Sequence, residues 1–143
     1  MNLDRFLEAQ APVIDQVRRE LAAGRKRTHW MWFVFPQLAE LGRSPTAQFY
    51  GVASLAEARD YLAHPVLGPR LVECTELVNQ VQGRTAHDIF GSPDDLKFRS
   101  CMTLFASVQT APFDDALRTY YGGAPDPLTL GLLEDASRTP HRA

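Results

Sequence analysis

The apolar residues of this chain recur at helical spacing along most of its length. From Leu3 to Leu21 they fall mostly three or four positions apart, which predicts an amphipathic helix with one face toward the core. Pro12 lies inside this pattern, where a proline removes a backbone donor and clashes with the preceding turn. We therefore expect a kink or a break near Ala11, and an end at Gly24.

Capping residues and prolines divide the rest of the chain into further helices. Ser44 followed by Pro45 predicts a short helix through Tyr50. Ser54, with Glu57 three residues later, has the sequence pattern of a capping box. The same reasoning predicts the remaining elements, which are helices over 66–82, 93–110, 113–121 and 127–134 and a turn over 88–91.

The densest apolar run is the segment 29–37, HWMWFVFPQ, which contains both tryptophans of the chain. Periodicity does not separate a strand from a helix in so short a run. We interpret it as a helix ended by Pro36, because a lone strand would leave its backbone groups unsatisfied. On a helix, Trp30 and Trp32 point about 200° apart. One of them would then fill the core while the other faces a groove, although burial of both is the outcome we favour.

Alternation of apolar and polar residues, which is typical of half-buried strands, is not convincing anywhere in the chain. We therefore predict an all-α fold, a single-domain multihelical bundle of about six to eight helices with no sheet. A length of 143 residues fits one domain. The predicted domain covers 1–136, and 137–143 is expected to be a frayed tail.

Composition and charge narrow the classes of function. The chain is 45% hydrophobic and its formal net charge is -2, so no overall field favours nucleic acid. No apolar run approaches the roughly 20 residues of a membrane span, and the amino terminus lacks an export signal. We expect a cytoplasmic protein without membrane association. The basic run 25–27 is interpreted as a solvated helix end, and Cys74 and Cys101 as thiols.

Several motifs carry a resemblance to a known family. They are THWMWFVFPQL at 28–38, LGRS at 41–44, YG at 50–51, FG at 90–91, an aspartate at 94 or 95, Lys97, and SCMTLF at 100–105. In these motifs, and over nearly the whole chain up to about Leu133, the sequence resembles the bacterial domain of unknown function 1810 family. The resemblance implies a single all-helical domain with no established activity.

The candidate chemistry lies in the aromatic segment and on the helix expected after residue 92. His29 is interpreted first as structural and second as a polar member of a pocket. Its spacing to other histidines and cysteines fits no metal site, and no dinucleotide or phosphate-loop pattern occurs, so we expect neither a metal nor a cofactor. Lys97, Ser100 and Cys101 share one helix face. A thiolate at Cys101 stays open, although its apolar neighbours favour an inert thiol.

The polar groups of that helix also have ordinary structural roles. Lys97 is expected to reach a carboxylate such as Asp94 or an anionic ligand, and Ser100 to donate to the carbonyl one turn back.

Three functions are compatible with these features of the sequence. The preferred one is a domain that binds a small ligand, planar or nucleotide-like, between the aromatic segment and the helix that carries Lys97. The alternatives are a helical protein-interaction module or homo-oligomer and, as a weaker one, a hydrolase or transferase that depends on Cys101. The predicted pocket residues are His29, Trp30, Trp32, Gln37, Ser44, Tyr50, Lys97, Ser100 and Cys101.

Overall fold

The computed structural model describes residues 2–138 of the chain. This part forms ten α-helices and one 3-10 turn at Ala39–Leu41, and its one strand-like pairing is an isolated bridge between Leu38 and Val52. The all-α class is confirmed, with more helices than the predicted six to eight. The helices are α1 Asp4–Gln10, α2 Ile14–Ala22, α3 Met31–Val34, α4 Pro45–Phe49, α5 Leu55–Ala63, α6 Leu67–Asn79, α7 Ala86–Phe90, α8 Asp94–Ala106, α9 Phe113–Tyr121 and α10 Pro127–Arg138.

The break predicted near Pro12 separates α1 from α2. Helix α1 ends at Gln10, the next three residues form a turn, and α2 begins at Ile14. Phe6 of α1 and Val17 of α2 are both completely buried. The turn therefore lets two short helices each direct an apolar face into one core, as the apolar spacing requires.

Helix α7 replaces the turn predicted over 88–91, which was wrong. The Thr85 hydroxyl accepts from the backbone N–H of Asp88 at 3.0 Å, and the Asp88 carboxylate accepts from the backbone N–H of Thr85 at 3.0 Å. This reciprocal capping box satisfies two free amides at the helix start. Gly91, at φ +74°, then ends the helix in a backbone conformation that favours glycine.

The capping box predicted at Ser54 forms only in part. Ser54 Oγ accepts from the backbone N–H of Glu57 at 3.1 Å, but Glu57 Oε1 accepts from the N–H of Ala53 instead of that of Ser54. The same carboxylate oxygen lies 3.0 Å from the guanidinium of Arg5. Arg5 of α1 therefore decides the orientation of the Glu57 side chain. A local sequence pattern does not contain this distant partner.

Three other helices differ in length from their predicted ranges. Helix α6 ends at Asn79 and α8 at Ala106, three and four residues earlier than predicted, whereas α10 continues to Arg138. Helix α9 has the predicted bounds. The predicted fraying of the tail falls mainly on 139–143, outside the described residues. No helix within 2–138 has both the length and the apolar character needed to cross a bilayer.

A cluster of phenylalanines joins the aromatic segment to α7 and α8. The ring centroid of Phe35 lies 5.0 Å from that of Phe98 and 5.9 Å from that of Phe90, in edge-to-face contact with both. Phe90 and Phe98 stack on each other at 4.6 Å. All three side chains are buried, and such ring pairs stabilise a core beyond their buried area. The segment around Phe35 is thereby held against the first turns of α8.

Candidate ligand-binding groove

The two tryptophans lie on opposite sides of a single helical turn. Helix α3 spans only Met31–Val34. Trp30 is 1% exposed, and Trp32 is half-buried at the surface. The expectation that both would be buried was wrong: Trp30 is the N-cap of α3, with φ -138° outside the helical region, whereas Trp32 lies within the helical turn. Trp30 therefore belongs to the core, and Trp32 presents its indole to the outside.

A buried carboxylate, Glu20, fixes the loop that leads into the aromatic segment. Its Oε1 accepts from the backbone N–H groups of Arg27 and Thr28 and from the indole N–H of Trp30, and its Oε2 accepts from the Thr28 hydroxyl and the Gln16 amide. Burial by itself would raise the pKa of Glu20, but these hydrogen bonds outweigh it and lower the pKa from 4.5 to about 2. The Glu20 side chain therefore holds the loop in its charged, carboxylate form.

The basic run 25–27 is not uniformly solvated, which corrects the prediction for its middle residue. The Lys26 side chain is 8% exposed, and its Nζ lies 3.1 Å from Asp94 Oδ2. The same ammonium donates to the Thr28 carbonyl at 2.6 Å and lies 5.1 Å from the ring centroid of Trp30. A cation is stable there because a carboxylate, a carbonyl and an indole face replace its water.

Lys97 repeats this arrangement one turn along α8. Its Nζ lies 3.6 Å from Asp94 Oδ1 and 5.1 Å from the ring centroid of Trp32, which confirms the predicted approach to Asp94. Its side chain is 25% exposed. Asp94 is therefore placed between the only two lysines of the chain, and each lysine covers one of the two tryptophans.

A groove of about 960 Å³ begins at the exposed face of Trp32. One wall consists of residues between 32 and 47, the floor of residues 93–100 on α8, and the other wall of residues 126–135. The predicted site residues that line it are Trp32, Gln37, Ser44, Lys97 and Ser100.

A small recess opens beside this groove. Its volume is about 10 Å³, which is close to the minimum for one water molecule. Gln37, Tyr50 and Lys97 line it together with Trp32. Gln37 is fixed at this place because its carbonyl accepts from the N–H of Val52 at 2.8 Å, next to the bridge of Leu38. Tyr50 lines this recess and does not line the main groove.

Three of the predicted site residues do not join this group. His29 is exposed in the loop before α3 and lines neither cavity, and Trp30 is in the core. Cys101 is completely buried, and burial raises the pKa of its thiol far above the usual value. A catalytic cysteine must reach its substrate as a thiolate, so the burial of Cys101 weighs against the weaker hypothesis of an enzyme that depends on it.

Ser100 and Ser44 make structural hydrogen bonds at the edge of the groove. Ser100 Oγ lies 3.2 Å from the Leu96 carbonyl, as predicted, and 2.9 Å from Asp126 Oδ2. Ser44 Oγ accepts from the backbone N–H of Ala47 at 3.1 Å and caps α4. The Ser100 hydroxyl donates its proton within the protein, whereas the Ser44 hydroxyl serves as the acceptor that caps α4.

Several charged residues of the groove were missed by sequence reasoning. Arg99 donates to the carbonyls of residues 124 and 125, and the Asp126 carboxylate accepts from the N–H and hydroxyl of Thr129 at the start of α10. Glu40 and Arg43 are exposed on the opposite wall. Of these four residues, only Arg43 belongs to a motif noted in the sequence, LGRS at 41–44. Among residues 2–138, no three His, Cys, Asp or Glu side chains are close enough together to hold a metal ion.

The comparisons with known proteins agree with this fold. The family described as protein of unknown function (DUF1810) matches residues 1–133. The chain belongs to this family. A crystal structure of another protein, the conserved hypothetical protein Rv1873 from Mycobacterium tuberculosis, is 60% identical in sequence and superimposes with a TM-score of 0.90. The match covers 92% of this chain and 96% of that one. No curated protein matches, and the family resemblance deduced from the motifs is confirmed.

Proposed function

We propose that this protein binds a small molecule with a planar apolar part in the groove beside Trp32. One observation carries the proposal: five predicted site residues from separate parts of the chain line a single groove of about 960 Å³. This volume falls within the roughly 300–1,000 Å³ of typical ligand pockets. We keep a cytoplasmic location and the absence of a cofactor as predictions.

The chemistry of the lining supports a ligand that is flat on one side and polar at one end. Trp32 offers a broad apolar surface that a planar ring can contact. The Lys97 ammonium lies over the same ring, 5.1 Å from its centroid, and Gln37 adds an amide with both donor and acceptor capacity. A ligand with a flat apolar part and a polar end would contact the Trp32 indole with the first and Lys97 and Gln37 with the second.

Indole N–H signals in an NMR fragment screen test the proposal directly. A planar fragment in the groove should shift the Trp32 signal and leave the Trp30 signal in place, because the Trp30 indole is buried and bonded to Glu20. Replacing Trp32 by leucine should weaken the binding about tenfold, as expected for the loss of an aromatic contact. His29→Leu is the matched control, since His29 is exposed and lies outside the groove. Fragments that bind the Trp32→Leu variant as tightly as they bind the native protein would refute the proposal.

A protein-interaction surface is the second candidate function, and two exposed side chains favour it. Leu96 is 57% exposed and Leu128 is 67% exposed, and both line the groove. Neighbouring exposed leucines are typical of surfaces that dock a partner or a second copy. Light scattering after size exclusion distinguishes a dimer of this chain from a monomer. A dimer that Leu96→Glu dissociates and Val66→Glu preserves supports this candidate, and a strict monomer speaks against self-association.

A further inference from the structure

We infer that the groove selects a ligand with a carboxylate, and that Lys97 binds this carboxylate at the recess next to Gln37 and Tyr50. The inference rests on the proposed function and specifies the charge of the ligand, which no comparison assigns. It follows from the charge balance around Asp94, from the separation of the other charged groups, and from the size of the recess.

The group formed by Lys26, Asp94 and Lys97 has two positive charges and one negative charge. Asp94 lies closer to Lys26, at 3.1 Å, than to Lys97, at 3.6 Å. Lys26 is also the more buried ammonium, with 8% of its side chain exposed against 25% for Lys97, and it has greater need of a counter-charge. Asp94 thus mainly neutralises Lys26. The excess positive charge remains on Lys97, the lysine that lines the groove.

Nearby acids do not cancel this charge. Asp95 lies next to Asp94 in sequence, but its Oδ2 is 3.6 Å from His87 Nδ1 and its Oδ1 accepts from the N–H of Leu96. Glu20 is occupied by the donors around Trp30. Glu40, Asp126 and Asp135 line the large groove but are absent from the lining of the recess. Among the described residues, Lys97 is the one charged residue in that lining.

The recess has the size and the polar groups for one oxygen atom. Its volume of about 10 Å³ admits a group no larger than a water molecule. Gln37 and Tyr50 line the recess, and neither the Gln37 side-chain amide nor the Tyr50 hydroxyl makes a hydrogen bond to another of residues 2–138. A carboxylate attached to a flat ring keeps its two oxygens in or near the ring plane. One oxygen can therefore enter the recess while the ring stays against Trp32.

A partly enclosed ammonium also favours an acid over a neutral group. Charge-assisted hydrogen bonds are about twice as strong as neutral ones, and they gain strength where water is excluded. A phosphate monoester carries more negative charge than Lys97 has positive charge in excess. The charge balance thus prefers a monoanionic carboxylate.

Three probes with the same ring test this inference: 2-naphthoate, its neutral amide, and 2-naphthyl phosphate. Each is titrated into the protein while the Trp32 indole signal is followed. Naphthoate should bind at least tenfold more tightly than the amide, and no more weakly than the phosphate. Lys97→Met should abolish the preference for naphthoate, because it lowers the affinity for the carboxylate much more than the affinity for the amide, whose oxygen accepts only a weaker hydrogen bond from the ammonium. Arg59→Met removes an exposed cation outside the groove and should keep the preference.

Asp94→Asn gives a second test with an effect in the opposite direction. Without its carboxylate, Lys97 has no acid at 3.6 Å, so naphthoate should bind several-fold more tightly while the amide is unaffected. A purely structural role of Lys97 predicts no such gain. Because the variant also removes the partner of Lys26, its fold is verified from the dispersion of the NMR spectrum at the temperature of the titration.

The outcomes separate this inference from the proposed function. Equal affinity for naphthoate and its amide, with a shift at Trp32, overturns the carboxylate and leaves the groove as a binding site. A phosphate that binds tenfold more tightly than naphthoate also overturns it, in favour of a phosphorylated ligand. If none of the three naphthalene compounds shifts the Trp32 signal while other fragments do, the ligand class is wrong. If no fragment of any class shifts Trp32, the proposed function fails with it.

Discussion

Protonation of Glu20 is expected to destabilise the loop that carries the aromatic segment. The folded-state pKa of about 2 lies below the ordinary 4.5, so the charged form contributes stability that is fully present above about pH 4.5 and is lost as the pH falls toward 2. At about 1.4 kcal/mol per pKa unit, this difference corresponds to roughly 3 kcal/mol of unfolding free energy. The linkage relation gives a loss of about 2 kcal/mol by about pH 3.

The variant Glu20→Gln isolates this contribution because the geometry lets glutamine keep the hydrogen bonds. Its amide oxygen replaces Oε1 and accepts from the three N–H groups, while the Thr28 hydroxyl and the Gln16 amide can turn to accept from the new NH₂ group. We expect a cost of about 1–2 kcal/mol at neutral pH, from the loss of charge assistance. Glu20→Ala should cost more, since it leaves the Trp30 indole N–H buried without its partner.

Urea unfolding at neutral pH and at about pH 3 measures the effect. The stability advantage of the native protein over Glu20→Gln should fall by about 2 kcal/mol over this range, and so vanish or change sign by about pH 3, because only the native side chain titrates. Glu8→Gln, at an exposed carboxylate, is the control and should follow the native curve. Parallel pH curves for the native protein and Glu20→Gln would refute the reasoning, since they would show that Glu20 has an ordinary pKa in the folded state.

Two further predictions concern a close backbone contact and the buried thiols. Gly51→Ala should lower the unfolding free energy by about 2 kcal/mol or more, because a Cβ at residue 51 would lie 2.3 Å from Ala39 Cα. Gly131→Ala, with nothing within 4 Å, is the control, and equal thermal stability of Gly51→Ala and the native protein would contradict the contact. Burial raises the pKa of Cys74 to about 12 and that of Cys101 well above its usual value. Iodoacetamide at neutral pH should label neither thiol, as read by peptide mass spectrometry, until the protein is denatured; rapid labelling of the native protein would show that the thiols are accessible.

Helix boundaries were predictable from the sequence where the deciding contact is local. Ser44 caps α4 through an amide three residues away, as its pattern predicts. The turn assigned over 88–91 was wrong because Thr85 and Asp88 form a local capping box that was not recognised in the sequence. The orientation of Glu57 was not predictable in the same way, since its partner Arg5 lies 52 residues earlier in the chain.

The candidate site shows the same limit. The approach of Lys97 to Asp94 and that of Ser100 to the Leu96 carbonyl link residues three or four positions apart on a helix, and both were predicted. The wall contributed by α10 was not predicted, because it depends on how that helix packs against α8. Helical spacing indicates which face of α10 is apolar but does not indicate which helix covers it.

The two lysines show why residue type alone does not identify a binding group. Lys26 and Lys97 each lie 5.1 Å from the ring centroid of a tryptophan, and both approach the same carboxylate of Asp94. Lys26 is enclosed and also donates to a backbone carbonyl, so its charge stabilises the loop. Lys97 borders a groove and a recess, so its charge remains available to a ligand. Asp94 joins the two lysines, and a change at this one residue should therefore affect folding through Lys26 and ligand selectivity through Lys97.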